Sequence, residues 1–326
     1  MTKIISCFLL IMFLVIQPVH AQIVKTNKAY SYQRLVQDIA KIDEKYGQIV
    51  EIQAIGTSHL GQKIWGIKVG KGKKNVVLIG AHHGREWLTS LLLMKMLENY
   101  SEAYLHNERI GSLPMATLDE VSIWFIPMLN PDGVTIQQNG IEGFPPEIQK
   151  ELLIMNDGYI DFKGWKANAK GVDLNRQYPA GWKKLKNEPS IPYYKYYKGK
   201  KPFEAREVIA LRNFINKINP SIAVAYHTAG QEIFWNYKNG KHLKRDKAIA
   251  KKISKVTGYK LAKPDKDAIG GGFTDWFITS YHKPAMTIEI SPLVGETSPP
   301  LSVFHKEWKR NQRVGLVLAK EAKKIH

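Results

Sequence analysis

The sequence predicts a single α/β domain in which a mixed, mostly parallel central sheet carries helices on both faces. Three observations predict it. The chain has 326 residues, 44% of them apolar and 10% aromatic, enough to bury one sizeable core. Short, almost wholly apolar runs alternate with longer segments whose apolar residues fall at helical spacing, as expected of strands covered on both sides by crossover helices. No repeat, low-complexity stretch or break in composition marks a second unit.

Residues 1–21 stand apart from this pattern. Met1-Thr2-Lys3 gives a short positive start, Ile4 to Ile16 is nearly continuous apolar sequence, and Val19-His20-Ala21 precedes a cut before Gln22. That layout reads as a secretory signal peptide, with the domain spanning 22–326 and a secreted or cell-wall location for the mature chain. The apolar run is too short to cross a bilayer, which takes ~20 residues, so no stable membrane anchor is expected after cleavage. The only cysteine, Cys7, lies in this segment. The mature chain is therefore expected to lack disulfides, cysteine metal ligands and a cysteine nucleophile.

In the domain, Leu35, Val36, Ile39, Ile42 and Tyr46 recur at helical spacing over Ser31 to Tyr46, with Gly47 to end the helix. Ile49 to Ile55 and Lys63 to Val69 read as a hairpin around Ser58-His59-Leu60-Gly61. Asn75 to Ile79 and Val121 to Pro127 are buried strands, separated by a long helix over Trp87 to Tyr104. The segment Asn139 to Tyr197, rich in Gly, Pro, Lys and Tyr, reads as irregular and suited to a binding wall. Helices follow over Phe203 to Ile218 and Leu243 to Val256, strands over Ser221 to Tyr226 and Ala285 to Ile290, and one closing helix over Phe304 to Lys324.

The formal charge is +19, one less once Lys3 leaves with the leader. Such a surface attracts polyanions. The lysines are dispersed, with no arginine-rich arm or nucleic-acid module, so nucleic acid is not the expected partner. For an exported chain the alternatives are an anionic cell wall and a generally soluble basic surface.

Gly80-Ala-His-His-Gly-Arg-Glu-Trp87 directly follows a buried strand, and one turn can aim His83 and Glu86 at a common point. An imidazole and a carboxylate suit zinc, although a lone His-x-x-Glu pair is common by chance and His82 competes with His83. Ala223-Val-Ala-Tyr-His227 ends a buried strand in a histidine, and Met286-Thr-Ile-Glu289 places a carboxylate in an apolar strand. A buried Glu needs a cation or a structural ion pair, or serves in catalysis. Ligands gather at the carboxyl ends of parallel strands. Two histidines and one Glu leave a metal position open to water.

Six separated motifs then occur in one order: His83-Gly-Arg-Glu86, Asn130-Pro-Asp-Gly133, Gly171-Val-Asp-Leu-Asn-Arg176, the strand ending at His227, Gly271-Gly-Phe-Thr-Asp-Trp276, and Thr287-Ile-Glu289. With them the chain resembles the zinc carboxypeptidase family of the carboxypeptidase A type, from about Tyr30 to the C-terminal helix. The resemblance implies one zinc ion per chain, held by His83, Glu86 and His227. It implies Glu289 as general base, Asn175 and Arg176 as the grip on the substrate's terminal carboxylate, and Arg85 as a further substrate-side arginine. Asp173 matches the carboxylate that orients His83. The arginine that steadies the oxyanion is matched by Lys166, which supplies charge without the planar fork. The capping tyrosine has no match, its nearest candidate by spacing being Asp267. The specificity position falls on Thr274, which favours neither basic nor large apolar side chains.

Trp165 to Pro179 and His227 to Trp235 look more like a bacterial branch that cleaves the γ-D-glutamyl–diaminopimelate bond of peptidoglycan stem peptides. The resemblance therefore implies a murein peptide as substrate. A general metallocarboxypeptidase acting on ordinary peptides and a non-catalytic wall-binding protein on the same fold remain the alternatives. No Gly-x-Ser-x-Gly elbow supports serine hydrolysis.

Overall fold

The apolar runs pair into one sheet. In a computed structural model, which describes residues 22–263 and 270–325, eight strands are ordered β1-β2-β6-β3-β7-β10-β8-β9. They are β1 (Val50–Thr57), β2 (Lys63–Val69), β3 (Lys74–Ile79), β6 (Val121–Ile126), β7 (Ile222–Thr228), β8 (Glu232–Phe234), β9 (Lys260–Leu261) and β10 (Ala285–Ile290). A separate short hairpin joins β4 (Arg109–Ile110) to β5 (Leu113–Pro114). The centre β6-β3-β7-β10 is parallel, the β1-β2 hairpin adds to it antiparallel, and β8 lies antiparallel against β10 with β9 parallel beyond it. The expected leader, residues 1–21, and Asp267 lie outside the described residues.

The strand period of two divides the central side chains between two cores. Val76, Leu78, Val224, Tyr226, Met286 and Ile288 enter one, with apolar residues of α1 (Tyr32–Tyr46), α2 (Leu88–Leu105), α6 (Leu243–Thr257) and the C-terminal helices. Val77, Ile79, Ala223, Ala225 and Ala285 enter the other, beneath α5 (Arg206–Ile218) and α7 (Phe273–Tyr281). His227, Thr287 and Glu289 share the parity of this second face. The small alanines leave room beside them.

Several elements differ from expectation. The irregular stretch contains α4 (Pro146–Met155), and α3 (Pro131–Asn139) occupies the Asn-Pro-Asp-Gly motif. The single closing helix is instead two, α8 (Phe304–Asn311) and α9 (Val314–Ala322). The Tyr100 hydroxyl inserts at the break, donating to the Gln312 carbonyl at 2.8 Å and accepting from the Leu316 amide at 3.3 Å. These are the two groups a continuous helix would pair with each other. Gly47 does end α1, but in a right-handed conformation. Among the described residues no helix is long and apolar enough to cross a membrane.

Candidate active site

The strand ends bring His83, Glu86 and His227 together. β3 ends at Ile79, and a tight 3-10 turn over Gly84–Glu86 then folds His83 and Glu86 over the sheet edge. Gly84 is required there, because a Cβ would lie 2.3 Å from the Gly133 carbonyl oxygen of α3. Asn130 ties the parts together: its Nδ2 donates to the carbonyls of His82 and Ala167, and its Oδ1 accepts from the Gly133 amide.

The three side chains are buried, with ligand atoms within 4.8 Å of one another. His83 Nδ1 lies 2.8 Å from Glu86 Oε1, and His227 Nδ1 lies 2.9 Å from Glu86 Oε2 and 3.2 Å from His83 Nδ1. His83 Nε2 lies 3.0 Å from Asp173 Oδ1. With its proton on that bond, His83 turns an Nδ1 lone pair toward a carboxylate and a second imidazole. Lone pairs gathered this way call for a cation. Burial lowers the His83 pKa; for His227 burial also lowers it, but the Glu86 and Glu289 carboxylates together outweigh this and the pKa is raised. The two histidines in turn hold Glu86 well below the usual carboxylate range against the opposing effect of burial. His82 is buried but stacks on His227 and meets the Tyr178 hydroxyl, so it does not join the cluster.

Asp173 is fully buried and also accepts the Asn175 amide at 2.9 Å. Burial alone would raise its pKa, yet Lys166, with Nζ 3.6 Å from Oδ2, and His83 hold it well below the usual range. Lys166 is buried and its ammonium lies over the Tyr196 ring at 4.7 Å. The resemblance-based positions His83, Asp173 and Lys166 thus form one connected chain.

Glu289 sits beside His227 because parallel β10 and β7 pair them in register. Its Oε2 is shielded from solvent with no hydrogen-bond partner among the described residues. Burial pushes its pKa up to about 7, with His227 opposing and Glu86 adding to the shift. A bound dication would draw it back down.

These groups open onto a cleft of about 210 Å³ that Arg85, Asn175, Arg176 and Thr274 also line. Arg176 Nη1 donates to the Asn175 carbonyl, while Nε lies 3.4 Å from Glu188 Oε1. Asn175 Oδ1 accepts the Phe273 amide at the start of α7. Arg85 reaches the Gly164 carbonyl at 3.4 Å. The Thr274 and Thr287 hydroxyls bond each other at 2.8 Å in the cleft floor. The structure thus brings every expected site residue within the described region to one cleft, Asp173 standing behind His83. Sequence reasoning gave no role to Glu188, Asp275 or Thr287. Asp275 and Thr287 stood inside recognised motifs, whereas nothing in the sequence marked Glu188, whose place depends on an irregular loop. Five other histidines stand apart from the cluster: His106, His282 and His305 are exposed and His59 and His242 half-buried.

The zinc carboxypeptidase family model matches residues 35–313. The chain belongs to the zinc carboxypeptidase family. Among its relatives is gamma-D-glutamyl-L-diamino acid endopeptidase 1 of Lysinibacillus sphaericus, 31% identical over 91% of this chain and 74% of that protein. Another is the uncharacterised protein YqgT of Bacillus subtilis, 33% identical over 86% of this chain and 74% of its own length. In fold it resembles carboxypeptidase A of Helicoverpa armigera, with a TM-score of 0.67, 18% identity, and coverage of 91% of this chain and 74% of that one. Its cofactor is zinc, and the His-Glu-His donor set with paired Nδ1 atoms fits that ion. The protein is a zinc metallopeptidase.

Proposed function

We propose that this peptidase hydrolyses the bond between a γ-D-glutamyl residue and an L-diamino acid in peptidoglycan stem peptides. What carries the reading is the likeness to the Lysinibacillus endopeptidase across nine-tenths of the chain, joined to an Arg176-Asn175 anchor for a free carboxylate. His83, Glu86 and His227 would hold the zinc, which when bound would supply Lewis-acid polarisation of the scissile carbonyl and lower the pKa of the attacking water. The Glu289 carboxylate takes a proton from that water as its oxygen bonds the carbonyl carbon. It returns the proton to the amine as the carbon–nitrogen bond breaks. Asp173 keeps His83 in the ligating tautomer. Lys166 faces the oxygen that gains charge, and Arg176 and Asn175 hold the α-carboxylate of the leaving residue.

The reading includes export, with residues 1–21 as a cleaved leader and the +19 charge favouring an anionic wall. Mass spectrometry of the protein from culture medium should give Gln22 as the first residue; an intact Met1 there would contradict export with cleavage. The activity is tested by incubating the zinc-loaded protein with L-Ala-γ-D-Glu-diaminopimelate and with α-linked peptides ending in Phe, Lys or Arg, with and without chelator. Chelator-sensitive release of diaminopimelate is expected. Cleavage of the α-linked peptides alone would replace this reading with that of a general metallocarboxypeptidase.

A further inference from the structure

The carboxylate anchor is itself held by a residue that lies outside every motif. Arg176 ends a short turn, and three groups surround its guanidinium. Nη1 donates to the Asn175 carbonyl at 3.2 Å, the Tyr196 ring centre lies 5.9 Å from Cζ, and Glu188 Oε1 stands 3.4 Å from Nε. Glu188 comes from the loop after Trp182–Lys184, where Asn187 turns the chain at a φ of 60° and Pro189 biases Glu188 toward extended backbone. Three exposed lysines, Lys183, Lys184 and Lys186, precede it in that loop, yet among the described residues its ion pair is with Arg176. The Glu188 side chain is only 10% exposed, and its Oε2 is shielded from solvent with no hydrogen-bond partner among the described residues. Burial raises its pKa against the pull of Arg176. A pair that served only to fasten the loop would carry less desolvation cost at the surface, with one of those lysines. Arg176 lines the cleft and Glu188 does not. The Glu188 carboxylate therefore meets the guanidinium from outside the space a substrate would fill.

We infer that Glu188 is a positioning residue for the anchor, its carboxylate on the Nε edge fixing the orientation in which the Arg176 fork meets the substrate's free carboxylate. This rests on the reading of Arg176 as that anchor. A guanidinium binds a carboxylate bidentately only in a limited set of orientations. Holding it there beforehand spares substrate binding the ordering of a long side chain, so the effect belongs in KM and not in kcat.

The test compares one peptide in two forms, with a free C-terminal carboxylate and with that carboxylate amidated. The zinc enzyme is given L-Ala-γ-D-Glu-L-Lys in both forms and, in parallel, an α-linked peptide ending in Phe in both forms, so that the result does not depend on which linkage is cut. The wild type should prefer the free carboxylate by about tenfold or more in kcat/KM. Glu188→Gln keeps the size of the side chain and removes its charge. KM for the free carboxylate should then rise about 3- to 10-fold, with kcat within about twofold and zinc content unchanged, while the amide is cut as before. Glu188→Asp, which keeps the charge, should recover part of the loss. Tm is read for each variant, and Glu188→Asp, with a smaller rise in KM confined to the free carboxylate, carries the comparison if Glu188→Gln does not fold. An unchanged KM for the free carboxylate, or an equal rise for both forms, would overturn the inference and leave the anchor reading standing. A lower KM would overturn it as well, by making Glu188 a competitor for Arg176. A wild type indifferent to amidation would remove the anchor reading, and Glu188 with it, before any variant is made.

Discussion

The metal side and the leaving-group side of this cleft are built differently. His227 and Glu289 stand in register on two neighbouring parallel strands, and His83 and Glu86 lie in a turn locked by Gly84, Gly133 and Asn130. The opposite wall is made of irregular chain: Asn175 and Arg176 lie in a kinked turn, Glu188 reaches in from a loop, and Gly270 borders residues outside the described region. Chemistry that demands fixed geometry sits on the sheet and on the locked turn at its edge. Recognition, which differs between substrates, sits on loops that can change without disturbing it.

Breaking the metal side should have the largest effect. His227→Ala removes one of three ligands, and we expect loss of stoichiometric zinc by metal analysis together with loss of measurable hydrolysis. Asp173→Asn leaves the ligands in place but weakens the bond that orients His83. Zinc affinity should fall about 10- to 100-fold in a chelator competition, an effect that a role confined to folding would not produce.

On the other wall, Arg176→Lys keeps the charge and loses the fork. Its cost should be about 10- to 100-fold in kcat/KM, carried mainly by KM, with zinc content unchanged. An equal loss of zinc would show that the two sides are not separable.

The smallest effect concerns the scaffold behind the cleft. Glu207 of α5 accepts the His59 amide and the Asn168 side-chain amide, joining the β1-β2 turn to the loop that carries Lys166. Burial pushes its pKa from 4.5 to about 7. The folded chain therefore holds this proton where the unfolded chain has released it, and stability falls as pH rises from 4.5 toward about 7. Glu207→Gln should flatten that part of the Tm–pH curve while leaving kcat/KM within about threefold. An unchanged slope would remove Glu207 as its source.

Much of the metal side was legible in the sequence because strands advertise themselves. Apolar runs ending in His227 or enclosing Glu289 mark both the element and the anomaly within it. The chain's belonging to the zinc carboxypeptidase family accords with the resemblance drawn from those motifs. The break between α8 and α9 was not legible, because it depends on Tyr100 arriving from a distant helix. α4 was hidden by the Gly- and Pro-rich sequence around it. Glu188 was invisible for the same reason as the helix break: loop closure, not local pattern, puts it beside Arg176. Thr274 occupied the expected position, but its bond to Thr287 became visible only with α7 packed on β10.

The central claim is that a three-ligand zinc centre works through the adjoining Glu289. Glu289→Gln keeps the size of the side chain and removes the base. Measured at saturating zinc on L-Ala-γ-D-Glu-diaminopimelate, or on whichever peptide the wild type cuts, it should retain one zinc per chain and lose about 10²- to 10⁴-fold in kcat. A zinc-loaded Glu289→Gln protein with wild-type turnover would contradict the account.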